Sequence, residues 1–130
     1  MRILIAEDDL TNRILLQSVL AAYGECYVAV NGVEAVKAYR MALADGKSYD
    51  LICMDISMPG LDGHQAVQEI RRLEEAAKTP FKRPAMIIMT SASNDQADVS
   101  LACREHCDAY LLKPIDTRRL KSLIWERGLV

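Results

Sequence analysis

The chain predicts an α/β fold: a doubly wound, five-stranded parallel sheet with helices on both faces. Three features of the sequence carry that expectation. Apolar strand-like runs alternate with helix-spaced segments from one end to the other. The runs are nearly continuous in apolar residues, as strands buried on both faces must be. Four of them also end in an ionisable or hydroxyl group. Arg2–Ala6 leads into Glu7-Asp8-Asp9, residues 49–54 into Asp55, residues 85–89 into Thr90-Ser91, and Ala109–Leu112 into Lys113-Pro114. Open α/β sheets place their chemistry at the carboxyl ends of the strands, so parallel strands gather these groups on one edge.

After the first strand, residues 10–22 place Ile14, Leu15, Val19 and Leu20 near helical spacing, with Asp9 or Thr11 as the cap and Tyr23-Gly24 as the stop. Residues 26–30 read as the second strand. Asn31-Gly32 turns the chain into a second helix over 33–44, which ends near Asp45-Gly46. The third strand ends at Asp55 and is followed by a turn at Met58-Pro59-Gly60. Gly63–Ala77 predicts a third helix with Ala66, Val67, Ile70 and Leu73 on one face. A polar loop with Pro80 and Pro84 precedes the fourth strand, and residues 94–105 predict a fourth helix with a less decisive apolar stripe. After the fifth strand, Asp116 caps a last helix carrying Leu120, Leu123 and Ile124. Right-handed crossovers leave few arrangements for five such units. The doubly wound order 2-1-3-4-5 is our choice, with its switch point between strands 1 and 3, and it places Glu7-Asp8 beside Asp55.

By length the chain is one domain over 1–130, and at 51% hydrophobic it is long enough to bury a core. Sixteen basic against 18 acidic residues leave a net charge of −2, which argues against nonspecific nucleic-acid binding. No apolar run reaches bilayer-spanning length, and the chain opens into a strand rather than a signal peptide. The expectation is a cytoplasmic protein without membrane insertion, with Met1 as its native start.

Several residues have plain structural readings. Cys26 and Cys53 read as small strand hydrophobes. Cys103, His106 and Cys107 have part of the spacing of a zinc site, but His64 is the only other histidine, so packing and surface roles are expected. Met54, Met58, Met86 and Met89 read as core and loop packing, and His64 as a solvated first-turn residue. Lys82-Arg83 and Arg118-Arg119 are too short for a nucleic-acid site. Trp125 is expected to pack the last helix, with a partner contact as the alternative.

Three carboxylates at one sheet edge repel one another unless something positive neutralises them. Lys113 supplies one charge, and a hard divalent cation such as Mg²⁺ is the natural further source. A metal, a lysine and a hydroxyl around one carboxylate suit phosphoryl transfer, with Asp55 as the nucleophile. Strand-end acids that only cap helices would explain Asp9 or Asp116. They explain less well why Thr90 and Lys113 end neighbouring strands.

At this point the chain resembles a receiver domain of bacterial two-component response regulators, of the single-domain chemotaxis-regulator kind. The resemblance rests on Ile5-Ala6-Glu7-Asp8-Asp9, on residues 54–63 (Met-Asp-Ile-Ser-Met-Pro-Gly-Leu-Asp-Gly), on Ile88-Met89-Thr90-Ser91 and on Tyr110-Leu111-Leu112-Lys113-Pro114. Together, in order and on the right elements, these pieces are highly specific, and they cover essentially the whole chain. The resemblance implies a flavodoxin-like (βα)5 fold with Asp55 as the phosphoacceptor. Glu7 and Asp8 match the acidic pair, Asp8 as the direct Mg²⁺ ligand and Glu7 partly through water. The register comes from Asn12-Arg13, with Asp8-Asp9 as the other pairing. The backbone carbonyl of Ser57 matches the third ligand, and Mn²⁺ is a substitute for Mg²⁺. Lys113 matches the lysine that holds the phosphoryl group, with a cis bond to Pro114. Thr90 and Tyr110 match the switch pair, and Pro59-Gly60 and Gly63 shape the loop.

The resemblance also implies partners: a histidine kinase or histidine phosphotransfer protein as donor, and an output partner at the surface of the fourth helix, fifth strand and fifth helix. Homodimerisation on phosphorylation is a further expectation, whereas direct nucleic-acid binding is not. Chemistry is confined to self-phosphorylation from small donors and autodephosphorylation, where small Ser57 and Ala92 leave room for water. Three positions depart from the family pattern: the long charged loop 74–84, His106 where glycine is common, and Ile115 where phenylalanine is frequent. The alternatives are a phosphorylation-independent interaction module, which would usually have lost an acid, the threonine or the lysine, and the receiver part of a longer hybrid kinase or regulator. A phosphatase would want an acid at Ser57, and a flavin binder a glycine-rich loop in place of Glu7-Asp8-Asp9.

Overall fold

Alternate residues of a strand face opposite sides of its sheet, and the runs read above are apolar at both parities. The sheet must therefore carry a core on each face, and it does. The computed structural model describes residues 1–58, 60–77, 83–92 and 106–129. In chain order these form β1 (Arg2–Ala6), α1 (Leu10–Leu20), β2 (Glu25–Ala29), α2 (Gly32–Ala44), β3 (Leu51–Asp55), α3 (Gly63–Ala77), β4 (Met86–Ser91), β5 (Ala109–Leu112) and α4 (Thr117–Glu126). All strand pairs are parallel, and the order is β2-β1-β3-β4-β5, as expected. The predicted helix over 94–105, with Cys103, lies outside the described residues, as do Pro59 and most of the loop before β4.

One face packs Leu4, Ile52, Met54, Ile87 and Met89 against Val36, Tyr39, Val67 and Ile70 of α2 and α3. The other packs Ile3, Ile5, Leu51, Cys53 and Ile88 against Leu16 and Leu20 of α1 and Leu120, Leu123 and Ile124 of α4. Burying each large aliphatic side chain contributes about 2 kcal/mol. The helices start where the sequence offers caps. Asp9 accepts from the Asn12 N–H at 2.9 Å, Asn31 from Glu34 at 2.8 Å and Asp116 from Arg118 at 2.9 Å. Asp62 and Gln65 cap α3 reciprocally, each side chain accepting from the other's backbone N–H.

Several expectations need correction. The α1 helix ends at Leu20, two residues early, and its buried positions are Leu16 and Leu20. Ile14 is exposed. The stripe on α1 is narrower than the spacing of its apolar residues suggested. The β2 strand starts and ends one residue earlier than predicted. Thr90 and Ser91 lie inside β4 rather than after it. Trp125 is 71% exposed and does not pack α4, because Leu120, Leu123 and Ile124 already fill the buried face. His64 is half-buried, and its Nε2 is enclosed without a hydrogen-bond partner rather than solvated. Cys107 lies in the core, and Cys26 and Cys53 carry free thiols. Burial pushes the Cys53 thiol up to about 12.

An arginine that the sequence did not single out organises the amino ends of β4 and β5. Arg71 of α3 donates to the carbonyls of His106 and Ala85 at 2.8 and 2.9 Å, to Glu74 at 2.7 Å and to Asp108 at 3.0 Å. Glu74 accepts in turn from the Ala85 N–H at 2.7 Å, and Asp108 from that of Ile87 at 2.8 Å.

Gly63 begins α3 against the backbone of the third strand. A Cβ there would stand 2.4 Å from the Asp55 carbonyl oxygen and 2.7 Å from the Ile56 Cα. Backbone cannot yield as a flexible side chain can. Gly63→Ala is therefore expected to lower stability by about 2 kcal/mol, read as a fall in the denaturant midpoint at unchanged slope.

Candidate functional site

Asp55 is the last residue of β3, and its register partner on β4 is Thr90. Its backbone position is fixed from both sides: the Ile56 N–H donates to the Thr90 carbonyl and the Gly63 N–H to the Ile56 carbonyl, both at 2.9 Å. The Ser57 N–H donates to Asp55 Oδ1 at 3.2 Å. That contact is an Asx turn, and the Asp-x-Ser spacing was its sequence signal, although only the Ser57 carbonyl had been considered. The residue is 2% exposed.

Glu7 follows β1, where its N–H donates to the Ala29 carbonyl at 3.0 Å. It is fully buried. Lys113, after β5, reaches across the sheet edge and donates to Glu7 Oε1 at 3.0 Å and to Asp55 Oδ2 at 3.1 Å. The other Glu7 oxygen, Oε2, is also 3.0 Å from Nζ, an ion-pair distance without hydrogen-bonding alignment, and is buried with no hydrogen-bond partner. Asp8 is exposed, and its carboxylate completes a group with Glu7 and Asp55 whose oxygens all lie within 4.8 Å of one another. Asp9 is used in capping α1, so the geometry groups Glu7 with Asp8 and not Asp8 with Asp9.

The electrostatics follow from this burial. Burial raises the Glu7 carboxyl above its ordinary value and the Asp55 charge adds to it, against the Lys113 hydrogen bond that lowers it. Burial alone would weaken the Lys113 ammonium. Its bonds to Glu7 and Asp55 and their charges outweigh that, and its pKa rises. Thr90 and Ser91 are buried at the end of β4. Tyr110, paired with Met89 on β5, is partly buried against the core. The Lys113-Pro114 bond is cis, as the resemblance implied.

A parallel sheet of this order thus gathers a buried aspartate at its switch point, an acid pair, a hydroxyl and a bridging lysine on one edge. The family model described as the response regulator receiver domain matches residues 3–125, and the chain belongs to that family. It is 37% identical over 131 residues to the hybrid signal transduction histidine kinase G of Dictyostelium discoideum. That match takes in 98% of this chain but 4% of the kinase. It is 33% identical to the chemotaxis protein CheY of Bacillus subtilis, covering 95% of this chain and 93% of that one. The chain thus spans a small part of the first curated relatives, and nearly all of others.

Among solved structures, one similar chain is from the co-crystal of the Saccharomyces cerevisiae histidine phosphotransfer protein Ypd1 with the receiver domain of its downstream response regulator Ssk1. The match is 32% identical at a TM-score of 0.79 and covers 95% of this chain and 86% of that chain. A second is the receiver domain of the sensor histidine kinase PA1611 of Pseudomonas aeruginosa PAO1, with a magnesium ion coordinated in its active site cleft. It is 28% identical at a TM-score of 0.75, covering 96% and 94% of the two chains. Among the described residues of the present chain, no helix is long and apolar enough to cross a membrane.

Removing the Lys113 ammonium leaves two buried carboxylates facing each other. Lys113→Met is expected to cost about 3 kcal/mol near neutral pH. Because the Glu7 carboxyl is raised from its ordinary 4.5, the folded protein binds that proton more readily than the unfolded chain. The stability this gives is full below 4.5 and is lost as pH rises through the folded value. Without the lysine that lowers it, the Glu7 carboxyl rises further in the variant, so acidification stabilises the variant more than wild type and the gap should narrow, as paired denaturation curves across pH will measure.

Proposed function

We propose that this receiver domain is a phosphorylation-activated switch in which Asp55 accepts a phosphoryl group from a histidine kinase or histidine phosphotransfer protein. The observation that carries the reading is the buried Lys113 bridge between Asp55 and Glu7, beside an acceptor, Glu7 Oε2, that has no hydrogen-bond partner. An all-oxygen set of this kind fits a hard cation. Glu7, Asp8, Asp55 and the Ser57 carbonyl would hold Mg²⁺, with Mn²⁺ as a substitute. When bound, the cation supplies positive charge that offsets the clustered carboxylates and the oxygens of the phosphoryl group.

The rest belongs to the chain. An Asp55 carboxylate oxygen forms the new bond to phosphorus as the bond from phosphorus to the donor nitrogen breaks. Lys113, already on Asp55, neutralises charge on the transferred group. Thr90, opposite Asp55 in the ladder, turns its hydroxyl to a phosphoryl oxygen, and Tyr110 moves inward with it. The face formed by β5 and α4 then changes its preferred partner, which is a second protein or a second phosphorylated copy. Exposed Leu112 and Trp125 supply its apolar contacts. This is a population shift biased by one added charge. In this reading the domain works in the cytoplasm beside its donor, without contact to nucleic acid.

Intact mass after incubation with acetyl phosphate and Mg²⁺ tests the reading. One phosphoryl adduct is expected, absent without the metal and absent in Asp55→Asn. Rapid hydrolysis could hide it, so beryllofluoride binding is read in parallel, and failure of both rejects the switch. Ser57 and Ala92, both small and exposed, admit attacking water. Replacing both with bulkier residues is expected to change the adduct's half-life severalfold, and equal decay rates would show that access at these positions does not limit hydrolysis.

A further inference from the structure

The sheet ends at β2 on one side. The Glu25 N–H donates to the Met1 carbonyl and the Ala29 carbonyl accepts from the Glu7 N–H, each at 3.0 Å. Residues 25, 27 and 29 therefore face β1, and the backbone groups of Cys26 and Val28 point away from the sheet. An edge of this kind is a template for another strand unless a lysine, a proline or a bulge blunts it. Residues 26–30, Cys-Tyr-Val-Ala-Val, contain no charge and no proline. Their apolar side chains stay partly open: Tyr27 is 38% exposed, Val28 36% and Val30 38%.

What the edge accepts can be read from its own sequence. We propose that β2 pairs antiparallel with β2 of a second copy of this chain, about a two-fold axis at Val28, joining the two sheets into one. In that register the outward-facing residues meet each other: Val28 opposes Val28, and Cys26 opposes Val30. On the other side Tyr27 meets Ala29, and Glu25 falls opposite Asn31 rather than another acid. Every cross-strand pair is apolar or free of like charge, as a self-complementary interface requires. Glu25 is also tied down at home, accepting from the Tyr27 hydroxyl at 2.7 Å. Among the described residues, the pairing has to displace a long 3.4 Å bond from the Val30 N–H to Glu34. A five-residue edge buries little area, so the association is weak. It involves neither Asp55 nor the β5 side, and it needs no phosphoryl group.

Sedimentation equilibrium of the unphosphorylated chain over a wide concentration range tests this. Wild type is expected to rise toward the dimer mass. Val28→Lys and Val28→Glu each place like charges on the two-fold axis, so each alone is expected to weaken association at least tenfold. An equimolar mixture of the two should restore it, because opposite charges then meet. Circular dichroism melts confirm that both variants remain folded. A wild type that stays monomeric to millimolar concentration overturns the proposal. So do variants that dimerise as wild type does, which would assign the contact to another face, and so does a mixture that stays monomeric.

Discussion

The whole site hangs on one ammonium group. Glu7 and Asp55 are carried by neighbouring strands that meet at the switch point of the sheet, and both are buried. Two carboxylates do not share such a place without a counter-charge. Lys113 provides it from the far edge strand, two strands from β3 and three from β1 in the sheet. To do so the chain must cross the sheet edge just after β5, where the Lys113 N–H is held by the Ser91 carbonyl at 2.8 Å. The register of β3, β4 and β5 is thus coupled to the neutralisation of the acids. The Gly63 contact serves the same end, since it presses the start of α3 onto the backbone of Asp55.

Much of this was legible in the sequence, for a definite reason. Strands buried on both faces leave continuous apolar runs, and their ends stand out when a charged residue follows. That is why Asp55, Glu7, Thr90 and Lys113 could be picked out together, while the strand order came from the few arrangements that right-handed crossovers leave. The acid register was harder. Glu7-Asp8-Asp9 offers two pairings on paper, and only the cap that Asp9 makes on α1 separates them.

Side chains whose fate depends on neighbours from distant elements were read less well. Trp125 looked like core because tryptophan is large and apolar, yet its helix had enough apolar residues to fill one face without it. Ile14 failed for a similar reason. His64 was read as solvated from its place in a first turn, but its Nε2 is enclosed. Arg71 gave no signal at all. Its partners are the carbonyls of Ala85 and His106 and the side chains of Glu74 and Asp108, and sequence patterns say nothing about which backbone oxygens a folded chain leaves over. Gly24 was read as a helix stop, whereas a Cβ there would strike the Met1 carbonyl oxygen at 1.9 Å.

The bond from Lys113 to Glu7 joins residues 106 positions apart. During synthesis the two acids leave the ribosome long before their counter-charge. Until β5 has emerged, the nascent chain has Glu7 and Asp55 but neither the lysine that neutralises them nor the edge strand that places it. A chain cut short before residue 113 therefore keeps both acids without the counter-charge that the folded site gives them. The last described strand thus closes the charge balance of acids that the chain lays down near its start and its middle.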